Sequence, residues 1–212
     1  MKYLKINLEN LEIEQINEIA DYLKRGKIIV YPTDTIYGLG CLASNSRAVN
    51  KLLKIKKRSE KNGLIILIKS YCMLHDYCYI TPKQEKYIRS IWPPTTREAH
   101  DPEFRYNKPP ATFILKGRAG LAKDVYGKGN SLAVRLPKNN FLIKILSVVN
   151  QPIISTSLNL TGGKPLKSVS QIDRIFKNLK PDLVIDAGII KVVKPSQLID
   201  VRDMNNIKIL RK

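Results

Sequence analysis

The stretch IIVYPTDTIYGLG at 28–40 constrains the fold more than any other part of the chain. Its first four residues, 28–31, are apolar or aromatic and read as a strand covered on both faces. Pro32 then stops the ladder, because it has no N–H to donate. Thr33, Asp34, Thr35 and Tyr37 follow, and Gly38 and Gly40 let the backbone approach a neighbouring group closely. Polar side chains and glycines at the carboxyl end of a buried strand are what a ligand crevice in an α/β sheet requires.

The rest of the chain alternates as such a sheet demands. Ile13, Ile16, Ile19, Ala20 and Leu23 repeat at helical spacing, and Gly26 closes that helix. A second helix is expected over 46–56 with Ala48, Val49, Leu52 and Leu53 inward. A strand at 64–68, a helix at 82–92, strands at 111–116 and 132–136, a helix at 141–149 and a strand at 152–155 come next. A helix from 170 places Ile172, Ile175, Phe176 and Leu179 inward, and strands at 183–186, 198–201 and 207–210 complete the pattern. The expectation is an α/β fold with a mixed sheet, formed as one domain over 1–212, since 212 residues at 43% hydrophobic content bury one good core. The segment PPTTREAHDPEFRYNKPP at 93–110 breaks the pattern. Four prolines and many charges make it a long surface loop, read either as a lid over the crevice or as a disordered insertion.

Charge and cysteine usage narrow the function. Lys plus Arg number 37 against 18 acidic residues, a formal +19. That excess suits an anionic partner, either nucleotide phosphates or RNA. A compositional origin is the competing account, because the chain is rich in Lys, Ile and Asn and Lys outnumbers Arg. Lys51, Lys54, Lys56, Lys57, Arg58 and Lys61 do cluster just downstream of the crevice segment. No apolar run reaches membrane-span length, and the first residues lack the apolar core of a secretory signal. A cytoplasmic protein with no membrane contact is expected. Cys41, Cys72 and Cys78 are too few and too odd in number for a disulfide framework. Cys72, His75 and Cys78 are spaced by threes but lack the fourth ligand of a zinc site, so no metal site is expected. With His75 and His100 the only histidines, a His-based triad has little material.

Three polar clusters end or follow strands. The first is Thr33, Thr35 and Tyr37, and the second is Lys56 with Arg58. The third is ISTSLNLTGG, carrying Ser155, Thr156, Ser157, Asn159, Thr161, Gly162 and Gly163. Hydroxyls, an amide and glycine N–H groups leaving a buried strand suit phosphate or carboxylate oxygens, and Arg58 can bind an oxyanion bidentately. The same residue types also cap helices and make turns. There is no Walker A pattern and no Ser–His or Cys–His pair, so covalent catalysis has no support.

At these residues the chain resembles the YrdC-like family, the threonylcarbamoyl-AMP synthases of tRNA modification, in its short single-domain form. The strings VYPTDTIYGLG, KIKKRSEKNGLIILI, SLAVRLP, PIISTSLNLTGGKP and KPSQLIDV carry the resemblance in family order across nearly the whole chain. It implies a twisted mixed sheet flanked by helices around a basic concave cavity. It also implies synthesis of L-threonylcarbamoyladenylate from L-threonine, bicarbonate and ATP with Mg²⁺, releasing pyrophosphate. Other proteins of threonylcarbamoyl transfer then modify tRNA. The family's Lys-x-Arg falls on Lys56 and Arg58 and its Ser-x-Asn on Ser157 and Asn159, which the resemblance makes the catalytic set. By the same carry-over, Thr33, Arg135, Ser155 and Ser196 line the threonine site, and Lys56, Arg58, Ser131, Ser157 and Arg211 face ATP. Two departures stand out. The family's Trp-Pro-Gly-Pro segment loses its glycine after Trp92–Pro93 and gains about sixteen residues. Leu158 stands inside Ser-x-Asn where the family usually has Ala. The alternative is an RNA-binding protein with little catalysis on the same fold, held by phosphate charge alone. It lacks an aromatic platform for bases. A third reading, carbamoyl-adenylate chemistry as in hydrogenase maturation, lacks the zinc-finger-like cysteines of those larger chains.

Overall fold

The structure, a computed structural model, describes residues 1–57, 63–92, 110–159, 166, 168–176, 180–190 and 195–211. Expectations placed on Arg58, Lys61, 93–109, Thr161, Gly162, Gly163 and Leu179 fall outside the described residues. In chain order the elements are β1 (Lys2–Lys5), α1 (Ile13–Lys24), β2 (Ile29–Tyr31), β3 (Gly38–Gly40), α2 (Ser46–Lys56), β4 (Ile65–Leu67), α3 (Tyr71–Tyr77), β5 (Cys78–Tyr79), α4 (Pro82–Arg89), β6 (Ala111–Gly117), β7 (Ser131–Arg135), α5 (Asn140–Val149), β8 (Ile153–Ile154), β9 (Thr156–Ser157), α6 (Ile172–Ile175), β10 (Leu183–Asp186), β11 (Gln197–Asp200) and β12 (Lys208–Arg211).

Among the described residues the strands form two mixed sheets rather than one. The first runs β1-β10-β2-β3-β9 and the second β12-β11-β6-β7-β4-β8, with β5 beside β6. The expected strand at 152–155 is in fact a crossing between them. Ile153 and Ile154 pair with β4 in the second sheet, and Thr156 and Ser157 pair with β3 in the first. Ser155 sits at the switch, its N–H donating to the Ile65 carbonyl at 2.9 Å. Gly38 and Gly40 also differ from expectation, since they form a strand of their own. The close neighbour that Gly40 admits is protein: a Cβ there would lie 2.0 Å from the Ile154 carbonyl oxygen. That missing side chain is what lets the crossing strand pass.

Local sequence explains the helices. α1 buries Ile16, Ile19, Ala20 and Leu23, and Gly26 follows it at φ +70°, a conformation that costs glycine little. α1 packs on α5, and with the outer face of the first sheet they enclose one apolar core. α2 starts where the Asn45 side chain accepts the Ala48 N–H at 3.0 Å and ends at Lys57, φ +50°. Its inward residues join a larger core with Phe113, Val134 and Trp92. α4 opens with Pro82 and a reciprocal Thr81–Gln84 cap. It stops at Arg89, short of the expected 92. Trp92 instead turns inward, 5.0 Å from the Phe113 ring, and its Nε1 donates to the Ala111 carbonyl at 3.1 Å. The helix expected from 170 is a 3₁₀ turn, Val169–Gln171, followed by the single turn of α6.

Cys41 and Cys78 are buried and Cys72 is exposed. Burial pushes both buried thiols up to about 12, which leaves almost no thiolate near neutral pH. A thiol-specific chromogenic reagent at pH 8 should therefore label Cys72 rapidly and the other two only in denaturant. Fast labelling of Cys41 in the folded chain would contradict its packing role. Among the described residues no three His, Cys, Asp or Glu side chains gather for a metal, and no helix is long and apolar enough to cross a membrane.

Candidate active site

The crossing at Ser155 opens a cavity of about 570 Å³ between the two sheets. Six residues that the family resemblance assigned to the site line it together, Thr33, Arg135, Ser155, Ser157, Ser196 and Arg211, along with Thr35, Tyr37 and Thr156 of the polar clusters. They come from the turn after β2, the end of β7, the crossing strand, the start of β11 and the last residue of β12. Ile114, Leu198 and Leu210 add an apolar wall beside Arg211.

The turn after β2 folds around one hydroxyl. Thr33 Oγ1 accepts the N–H groups of Thr35 and Ile36 at 3.0 and 3.1 Å and donates to the Ile36 carbonyl at 2.6 Å. The Thr35 hydroxyl lies 3.0 Å from it. The Tyr37 ring is buried, and its hydroxyl donates to the Gly188 carbonyl at 2.8 Å while accepting the Ala187 N–H at 2.9 Å. The Tyr37 carbonyl accepts the Leu158 N–H at 2.9 Å. Leu158 itself is fully buried in the larger core and is not among the residues that line the cavity.

Lys56 and Asn159 stand behind the lining. The Lys56 ammonium is buried at 3% residue exposure. It donates to the carbonyls of Ser157 and Asn159, both at 2.6 Å, and to Asn159 Oδ1 at 2.5 Å. The Ser157 hydroxyl donates to the same Oδ1 at 2.6 Å. One cation at the end of α2 thus fixes the Ser-x-Asn stretch from its rear. Ser131 lies on the same face of β7 as Ala133 and Arg135 but is set back from the cavity lining.

The electrostatics point to an anion. The Arg135 Nη2 donates to Asp34 Oδ1 at 2.6 Å, while its Nε is buried with no hydrogen-bond partner among the described residues. Buried donors are nearly always satisfied, and this orphan belongs to a side chain that lines the cavity, where a ligand acceptor would complete it. Arg211 donates from Nε to the Ser196 carbonyl at 2.8 Å and from Nη2 to the Ser196 hydroxyl at 3.2 Å. That hydroxyl also meets Thr112 Oγ1 at 2.8 Å. Burial, and then the Arg135 charge, hold the pKa of the Arg211 guanidinium below its ordinary value. Two guanidiniums that feel each other in one cavity favour an anion between them. Asp34 was not singled out in the sequence as a site residue. Its local signals are its place among the polar residues after Pro32 and its being the one acid between Asp21 and Glu60; its partner lies 101 positions away.

The chain's likenesses agree with this architecture. The Sua5/YciO/YrdC family, described as "Telomere recombination", matches residues 21–212. A threonylcarbamoyl-AMP synthase of Blochmanniella floridana is 31% identical over 201 residues, covering 93% of this chain and 95% of its own length. A double variant of P. abyssi Sua5 superposes with a TM-score of 0.80 at 25% identity, covering 96% of this chain. This chain spans 55% of that protein's length. E. coli YciO shares the fold with a TM-score of 0.80 at 23% identity, over 100% of this chain and 94% of its own.

Proposed function

Because this chain belongs to the Sua5/YciO/YrdC family, we propose that it is a threonylcarbamoyl-AMP synthase. It joins L-threonine, bicarbonate and ATP into L-threonylcarbamoyladenylate and releases pyrophosphate. The observation that carries the reading is the buried Nε of Arg135, unpartnered among the described residues, at a cavity that also holds Arg211.

In this reading the threonine carboxylate takes the Arg135 Nε–H, and the hydroxyls of Thr33, Ser155 and Ser196 hold its other polar atoms. The threonine amine and bicarbonate condense to a carbamate with loss of water. A carbamate oxygen then attacks the α-phosphorus of ATP, and the bond from that phosphorus to the bridging oxygen breaks as pyrophosphate leaves. Charge builds on phosphoryl oxygens, so preorganised cations and donors do most of the catalysis. Arg211 and Ser157 supply them from the lining, Lys56 holds Ser157 from behind, Arg58 joins them on the family resemblance, and the apolar wall of Ile114, Leu198 and Leu210 offers a surface for the adenine ring. Carbamate is labile in water, so holding it against the phosphate counts as much as charge. Mg²⁺ would enter with ATP, held on phosphate oxygens and water; among the described residues no carboxylate lines the cavity, and Asp34 beside it is committed to Arg135. The product passes to other threonylcarbamoyl-transfer proteins in the cytoplasm, and the basic surface holds tRNA.

Pyrophosphate release from ATP and Mg²⁺, with and without L-threonine and bicarbonate, tests the proposal. Release that requires both is the expected result. No release under any condition, together with salt-sensitive RNA binding, would replace the synthase with an RNA-binding protein on the same fold.

A further inference from the structure

We propose that Asp34 is a positioning residue: it aims Arg135 into the cavity and thereby sets the affinity for the carboxylate of the amino-acid substrate. The inference rests on the threonine reading of that cavity.

Asp34 lies in the turn after β2, in the first sheet, and Arg135 ends β7, in the second. Their 2.6 Å contact therefore spans the gap that the cavity occupies. Both side chains are largely covered, at 9% exposure for Arg135 and 13% for Asp34. The second Asp34 oxygen faces the Lys138 N–H at 3.5 Å, so the carboxylate is itself held by the chain after β7. A guanidinium is a rigid planar fork, so fixing Nη2 also fixes the direction of Nε. A flexible arginine would turn its Nε toward water or a carbonyl. This one keeps a buried Nε–H without a partner among the described residues, which requires a restraint elsewhere on the fork, and the Asp34 contact is that restraint. Asp34 also offsets the charge of Arg135, so that Arg135 and Arg211 tolerate a shared cavity before any anion arrives. Thr33 and Thr35, on either side of Asp34, are locked into the same turn by their own hydrogen bonds, which makes the carboxylate's position rigid.

The competing role is a plain staple between sheets, and kinetics separate the two. In full-length Asp34→Asn, the KM for L-threonine should rise about tenfold or more while the KM for ATP stays within about twofold. Asp34→Glu keeps the charge but moves it by one methylene, and should raise the threonine KM alone. It serves as the second variant if Asp34→Asn folds poorly. A direct readout is the Arg135 Nε–H resonance, identified by its loss in Arg135→Lys. It should shift on titration of the parent chain with L-threonine and shift less, at equal threonine, in Asp34→Asn. Equal rises in both KM values with a lowered melting temperature would leave Asp34 a staple and overturn the proposal, as would an unchanged threonine KM. A parent chain whose Arg135 resonance ignores L-threonine would refute the substrate reading and the Asp34 role with it. A parent that responds, beside an identical Asp34→Asn, would sink only the latter.

Discussion

Lys56→Ala should lower threonine-dependent pyrophosphate release about 100-fold or more, the scale of losing one preorganised contact of a catalytic site. The structure adds a second reason for a large effect. The ammonium satisfies three oxygens of the Ser-x-Asn stretch, the carbonyls of Ser157 and Asn159 and the Asn159 side chain. Truncation would leave those acceptors around a buried void, and buried acceptors without donors are costly. Ser157, which lines the cavity, would lose its fixed place. Steady-state kinetics with both substrates varied should show a fall in kcat beyond any rise in KM. On the family resemblance, Arg58→Ala should behave alike. Turnover near that of the parent in both variants would remove the Lys-x-Arg from the mechanism.

Gly40→Val should abolish stable folding. A Cβ at this position would sit 2.0 Å from the Ile154 carbonyl oxygen and 2.9 Å from the Tyr31 ring. The first obstacle is backbone, in a strand whose Ile154 N–H is already bonded to the Cys41 carbonyl at 2.8 Å. Nothing there can swing aside. Forcing the strands apart would also separate β8 from β3 and open the cavity floor. A loss of about 3 kcal/mol or more is expected, a large share of a domain's total stability. The urea midpoint of whatever soluble protein forms measures it. A midpoint equal to the parent's would mean the crossing strand does not need the glycine.

These two positions also mark where the sequence was readable and where it was not. α1 and α2 were legible because their apolar residues fall on one helical face, and Ile16, Ile19, Ala20 and Leu23, then Ala48, Val49, Leu52 and Leu53, are buried; Ile13, read on the same face, is instead exposed at the first turn. β2 was legible as a fully covered strand. β3 was not, because Gly-Leu-Gly has poor strand propensity; its neighbours Tyr31 and Ile154 impose the extended form. β1 was missed because three of its four residues are exposed, which leaves no alternating pattern. α3 carried a readable cap, the Ser70 side chain accepting the Met73 N–H at 3.2 Å, but its short length hid it among apolar residues. Thr33, Ser155 and Ser157 were named from polar clusters at strand ends, whereas Arg135, Ser196 and Arg211 were named only through strings that resemble a family. The Asp34–Arg135 pairing had neither aid, since contacts between residues so far apart leave no mark on either segment.

The strand order carries a consequence for how the chain is made. β10 lies between β1 and β2, with Lys2 opposite Leu183 and Ile29 opposite Leu183 on the other side. The first sheet therefore cannot close until residues 183–186 have been synthesised. At typical translation speeds that is a wait of about 10 to 40 seconds for the amino-terminal strand. Throughout that time β2, apolar on both faces, has β3 on one edge and nothing on the other, an invitation to pair with a neighbouring nascent chain. Ser196 and Arg211 emerge later still, so no shorter nascent chain holds a finished cavity. Chaperone supply and growth temperature should govern the yield of this protein more than its final stability does.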